Sequence, residues 1–117
     1  MNKSLPKKRS IVFYMVPQFT LLAMTGAIET LRIANRMLGF DAYQWRLASL
    51  DGEPVSSSSG IALPADTSLA DERRNSDSDS RPNMVFICSG IDVEKYTHKS
   101  VNAWLRETHN RGTSVGS

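Results

Sequence analysis

Side chains able to do chemistry are few in this chain, and their spacing limits what that chemistry could be. Cys88 is the single cysteine, which leaves no intrachain disulfide and no thiolate cluster for a metal. It closes the apolar run Met84-Val85-Phe86-Ile87-Cys88, where a thiol reads as a small buried hydrophobe in preference to a nucleophile. His98 and His109 fall on one expected helix with no carboxylate or cysteine set around them, so they read as solvent-facing side chains and no metal is expected. Glu29 is the one acidic residue of a long helical segment; three residues before Arg32, it is spaced for a weak surface pair. No G-x-G-x-x-G or phosphate-loop pattern occurs, so a nucleotide site has no sequence support and no cofactor is expected.

The elements that must position these groups are legible from hydrophobic periodicity. Residues 1–10 form a basic tail, with Lys3, Lys7, Lys8 and Arg9 read as a solvated cluster. Ile11 to Val16 is a continuous apolar run closed by Pro17, the pattern of a strand covered on both faces. After a turn at 17–19 the period changes: Leu21, Met24, Ala27, Ile28, Leu31, Ala34 and Leu38 recur at helical steps, with Thr20 able to cap the start and Gly39 the end. Residues 43–50 alternate as a half-buried strand before a reversal at Asp51-Gly52, and 55–63 read as a hairpin at the sheet margin. The serine run 56–59 is expected to stay out of the interior, 66–74 to form an exposed helical turn, and 75–82 to act as a linker.

A second doubly covered strand at 84–88 ends in Ser89-Gly90. A helix over 98–111 follows, with Val101, Trp104, Leu105 and Thr108 inward, Glu107 and Arg111 spaced for an ion pair, and Gly112 closing it. Residues 113–117 begin a further strand. Strands alternating with helices predict an α/β fold with a parallel sheet, whose ligand site lies at the carboxyl ends of the strands. Pro17, Ser89 and Gly90 occupy those ends.

Composition narrows the function classes. The chain has 117 residues, 40% hydrophobic and 22% charged, which suits one globular domain. A net charge of +2 is too small to argue for nucleic acid, and no helix-turn-helix with a basic recognition helix is visible. The basic start followed by apolar residues 11–28 also fits an export signal or anchor, but Pro17-Gln18 interrupts it and the helical period runs on past Glu29. A cytoplasmic location without membrane association is the expectation.

Several separated motifs carry a family resemblance. Glu29-x-Leu31-Arg32-x-Ala34-Asn35, Tyr43-x-Trp45-Arg46-Leu47-x-Ser49-Leu50-Asp51-Gly52-x-Pro54-Val55, Ser58-Ser59-Gly60-Ile61 and Ala103-Trp104-Leu105-Arg106 before Arg111-Gly112 resemble GlxA-type transcriptional regulators of the AraC family. Cys88-Ser89-Gly90-Ile91-Asp92-Val93 and Tyr96 are most similar to the branch that senses carnitine, glycine betaine and related metabolites. The resemblance implies a flavodoxin-like three-layer sandwich with a mostly parallel sheet. Residues 11–117 would be part of a PfpI/ThiJ-like, class I glutamine amidotransferase-like domain that stops before the nucleophile-elbow helix, without the C-terminal helix-turn-helix domain.

The same resemblance assigns roles. Glu29 matches the first-helix glutamate that reaches toward the elbow cysteine in PfpI-like proteins, where its pKa would be raised. Val115-Gly116-Ser117 matches the strand before that elbow, so Cys88 is not the elbow cysteine. The candidate ligand-pocket residues are Glu29, Pro17, Cys88, Ser89 and Gly90, with no catalytic residue. Trp45 and Trp104 are core or contact aromatics, or an aromatic lining for a quaternary ammonium ligand.

Three functions follow from this reading. The leading one is a non-catalytic, ligand-sensing and dimerisation portion of a regulator of small-amine catabolism. It would form a homodimer, bind a small-molecule effector, and meet DNA only through a module outside these residues. The alternatives are a fragment of a PfpI/ThiJ-type cysteine hydrolase or deglycase, and a fragment with no activity of its own. The open final strand and the partly uncovered first helix predict poor folding of residues 1–117 alone.

Overall fold

The computed structural model describes residues 8–74, 81–90 and 98–116. The expectations for Lys3, Lys7, the linker residues 75–80, Ile91 to Tyr96 and Ser117 lie outside these. The elements run β1 (Arg9–Met15), α1 (Leu21–Leu38), β2 (Tyr43–Ser49), β3 (Val55–Ser56), β4 (Ala62–Leu63), β5 (Thr67–Ser68), α2 (Leu69–Arg74), β6 (Met84–Cys88), α3 (Lys99–Asn110) and β7 (Ser114–Gly116).

β1 is the centre because both of its faces are apolar. Ile11, Phe13 and Met15 pack against α1 with Phe19, Met24 and Cys88. Val12, Tyr14 and Val16 point the other way, onto Leu69 of α2 and Val101 and Trp104 of α3. Alternation along one strand therefore feeds two cores, and the result is three layers, helix on sheet on helix. The five strands of the main sheet order as β5-β2-β1-β6-β7, every pairing among them parallel. β1 registers against β2 from Arg9↔Tyr43 to Tyr14↔Ala48, and against β6 from Ile11↔Met84 to Met15↔Cys88. The α/β fold with a parallel, flavodoxin-like sheet is the one expected.

Helix ends behave as their residues dictate. Gly39 adopts φ 82°, and its N–H reaches the carbonyls of Asn35 and Arg36. Thr20 sits at the N-cap of α1 in extended conformation, but its hydroxyl makes no capping bond. His98 caps α3 instead through Nδ1, which accepts from Ser100 N–H at 3.1 Å.

Four details differ from the sequence reading. The 55–63 hairpin forms its own two-stranded sheet, and the margin of the main sheet is β5, a two-residue polar strand. Ser57 is buried, because its N–H bonds to Ile61 O at 2.8 Å and it bridges Phe19, tying the hairpin to the loop after β1. α2 buries Leu69 and Glu72 rather than lying exposed. Glu107 pairs with Arg73 of α2 at 2.6 Å, across the helix–helix contact and not along its own helix.

Candidate functional site

The carboxyl ends of β1 and β6 lie side by side where the chain order reverses, between β2 on one flank and β6 on the other, the place at which such folds open a crevice. The loop leaving β1 is fixed there from both sides. Val16 N–H donates to Cys88 O at 2.9 Å, Gln18 N–H to Ser56 O at 2.9 Å, and Thr20 N–H to Ser89 O at 3.2 Å. Gln18 adopts φ 67°, the one positive φ at a non-glycine among the described residues. A backbone in that region persists only where its surroundings hold it. Gly90 is part of that hold: a Cβ there would collide with the backbone carbonyl oxygen of Gln18. Sequence placed Pro17, Ser89 and Gly90 at these strand ends, and the structure brings their two loops into contact.

Beside this junction a crevice of about 510 Å³ opens over the ends of β1 and β2. Met15, Val16, Pro17, Leu50, Pro54 and Val55 give it apolar walls, and Tyr14, Ser49, Asp51, Ser56 and His98 supply polar groups. The Ser49 hydroxyl is committed to Glu53 O at 2.9 Å, and Asp51 Oδ1 accepts from Glu53 N–H at 3.1 Å, so the turn holds the carboxylate in place. Tyr14 packs its ring against Trp104, with centroids 5.9 Å apart. Burial, with the Asp51 charge added, pushes its phenol from 10.0 up to about 12. Since Nδ1 of His98 accepts the Ser100 N–H, the neutral ring carries its proton on Nε2. The set is a binding set: a carboxylate, hydroxyl groups and an imidazole on an apolar floor.

Of the five candidate pocket residues Pro17 lines this crevice, while Glu29, Cys88, Ser89 and Gly90 do not. Cys88 is buried on the α1 side with Phe13, Phe19 and Met24, and desolvation pushes its thiol from 9.0 up to about 12. At neutral pH it is a thiol, and a thiol is a poor nucleophile. Glu29 corrects the expectation of a pocket-facing carboxyl: it is exposed on α1 and bonds Arg32 Nε at 2.7 Å. Trp104, 1% exposed, is core, which removes it as a ligand lining. Trp45 instead borders a shallow groove with Arg32, Asn35 and Gly39 at the far end of α1. Among the described residues no group of three or more His, Cys, Asp or Glu side chains is placed to hold a metal, and no helix is long and apolar enough to cross a membrane.

Sequence reasoning missed Tyr14, Asp51 and His98 as site residues. Asp51 was visible only as half of a turn signal, and His98 only as a surface histidine. Their common signal was position: each falls at a strand end or at the start of α3, on the side of the sheet to which Pro17 belongs.

Comparison with known proteins places this geometry in context. No family model matches the chain. Over 109 residues, 93% of its length, the chain is 28% identical to the HTH-type transcriptional regulator GbdR of Pseudomonas aeruginosa, and it spans 28% of that protein's length. A crystal structure of an AraC family transcriptional regulator from Pseudomonas putida superposes with a TM-score of 0.76 at 24% identity, covering 92% of this chain and 63% of that one. A ThiJ/PfpI family protein from Pseudomonas syringae superposes with a TM-score of 0.65 at 15% identity, covering 93% of this chain and 41% of the other. The structural likenesses establish a shared fold, and the sequence likeness is to proteins described as HTH-type regulators. Both agree with the resemblance carried by residues 29–35, 43–61 and 103–112.

Proposed function

We propose that this chain is the ligand-sensing and dimerisation portion of a transcriptional regulator, and that its effector is a small amine of the carnitine or betaine kind. The observation that carries the reading is the crevice at the strand ends, whose charged group is a carboxylate fixed by its own turn and whose walls are apolar. A cation bearing methyl groups satisfies both at once: Asp51 meets the charge, and Met15, Val16, Pro17 and Pro54 meet the methyls. Tyr14, uncharged at neutral pH, and the Nε2–H of His98 are hydrogen-bond donors for the carboxylate that such amines carry.

Binding without chemistry suits these residues. The one thiol is buried, protonated and turned into the α1 core, so the reading as a PfpI/ThiJ-type hydrolase draws no support from it. No cofactor is invoked. In the cytoplasm the intact regulator would meet DNA through a helix-turn-helix module outside these residues, consistent with the relative's description as HTH-type. A second copy would dock on the outer face of α1, where Leu22, Ile33 and Met37 are 80%, 48% and 83% exposed. At 100° per residue these three fall within an arc of about 60°.

The reading is tested by calorimetric titration of the full chain with glycine betaine and with carnitine. Saturable binding is expected for at least one, weakened roughly tenfold by Asp51→Asn, the scale of a lost charge-assisted contact. Absence of binding by both amines, or affinity unchanged in the variant, would overturn it.

A further inference from the structure

The opposite end of the sheet carries a second, chemically different cavity. A cleft of about 620 Å³ opens at the amino ends of the strands. Its cationic residues are Lys8 and Arg9 at the start of β1, Arg81 before β6, and Arg111 at the end of α3. Among the described residues no carboxylate lines it, although the chain as a whole holds 12 acidic residues against 14 basic ones. The four ion pairs among the described residues, Arg32–Glu29, Arg46–Glu72, Arg73–Glu107 and Arg74–Asp71, involve none of Lys8, Arg9 and Arg81. Like charges gathered on one concave surface repel one another, and a bound anion relieves that repulsion.

The cleft is also stiff. Asn83 Oδ1 accepts Ser10 N–H at 2.8 Å, Asn83 N–H donates to Ser10 O at 2.8 Å, and Ser114 N–H donates to Asn83 O at 3.1 Å. Gln44 Nε2 donates to Ser10 Oγ at 2.6 Å, and Thr113 Oγ1 to Pro82 O at 3.0 Å. The neutral floor beneath the four cations is thus built from β1, β2, β6 and β7 together, and a ligand meets a preformed surface.

We infer that this cleft binds a compact, multiply charged oxyanion, of the kind presented by a diphosphate, a triphosphate or a phosphorylated metabolite. Two features select that class. The volume is within the range of small-molecule sites. Among the described residues no aromatic side chain lines the cleft to supply the base stacking that holds single strands, and no described helix projects from it to enter a duplex groove. The site is independent of the amine crevice, which lies across the length of the strands.

Titration of the full chain with inorganic pyrophosphate and triphosphate, followed by calorimetry and by backbone amide shifts, tests this. At low salt, saturable binding at one site is expected, with the largest shifts at Ser10, Asn83, Thr113 and Ser114 and with affinity falling as salt is raised. Lys8→Gln and Arg81→Gln change exposed side chains outside both cores, and each is expected to weaken binding roughly fivefold with the melting temperature unchanged. Asp51→Asn serves as the control and leaves pyrophosphate affinity as it is. The inference falls if neither anion saturates, if both variants bind like the parent, or if a short DNA duplex binds more tightly than triphosphate and displaces it.

Discussion

Cys88 of β6 and Tyr14 of β1 show how burial on either face of the sheet sets reactivity. Both are acids whose neutral form is favoured by burial, the thiol raised from 9.0 and the phenol from 10.0, each to about 12. The folded state therefore holds protons between pH 9 and 12 that the unfolded chain has released. The stability this contributes is complete below about pH 9, the ordinary range of these groups, and is lost as pH rises toward 12. The melting temperature is accordingly expected to fall steeply across that window, and Cys88 in the folded chain to resist iodoacetamide at pH 8 while reacting fully in denaturant. A thiol that alkylates at the free-cysteine rate without denaturant would contradict this. The inert thiol was legible, because a cysteine ending an apolar run packs as its neighbours do. Glu29 forms the surface pair with Arg32 that its spacing allowed, and the pocket role implied by the resemblance does not hold: one residue from Ile28 is 100° around a helix, and that step carries it from the core side to solvent. Asp51 and His98 were hidden for another reason, since they approach Tyr14 only through the packing of elements distant in sequence.

At the scale of elements, the edge of the sheet depends on one polar cluster. Arg46 of β2 binds Glu72 of α2 through two bonds, Nε to Oε2 at 2.6 Å and Nη2 to Oε1 at 2.8 Å, and Thr67 of β5 donates to the same carboxylate at 2.8 Å. Glu72 is 3% exposed, so its charge is tolerable only because these donors replace water. Glu72→Ala removes the buried acceptor of three hydrogen bonds, two from Arg46 and one from Thr67, and is expected to lower stability by roughly 2–4 kcal/mol in denaturant unfolding. A loss of less than about 0.5 kcal/mol, the level of a surface substitution, would show the cluster to be dispensable. Sequence revealed the apolar strands β1 and β6 because a doubly covered strand has no polar face to confuse the pattern. It concealed β5, Thr67–Ser68, since two polar residues carry no period; Asp66, whose Oδ2 accepts Leu47 N–H at 2.8 Å and whose N–H donates to Leu47 O at 2.7 Å, leads that short strand into its ladder with β2.

The whole molecule has two ends and one uncovered side. The carboxyl ends of the strands offer a carboxylate on apolar walls, the amino ends a cationic cleft, and the outer face of α1 a stripe of Leu22, Ile33 and Met37. If that stripe receives a second copy, Met37→Glu shifts the chain toward monomer in sedimentation velocity without lowering its melting temperature, while an unchanged sedimentation coefficient would place the contact elsewhere. The layered fold was legible in the sequence, since strand–helix alternation dictates it. Which groups line the crevice at the carboxyl ends required the register of β1 against β2 and the docking of α3. Occupation of the crevice over β1 and β2 by an amine effector is best tested by recording backbone amide shifts of the full chain during titration with glycine betaine and carnitine. Saturating shifts are expected at Tyr14, Val16, Asp51, Ser56 and His98 for one of them, with Ser10, Asn83 and Ser114 unmoved. Shifts confined to the amino-end cleft, or none at saturating amine, would contradict it.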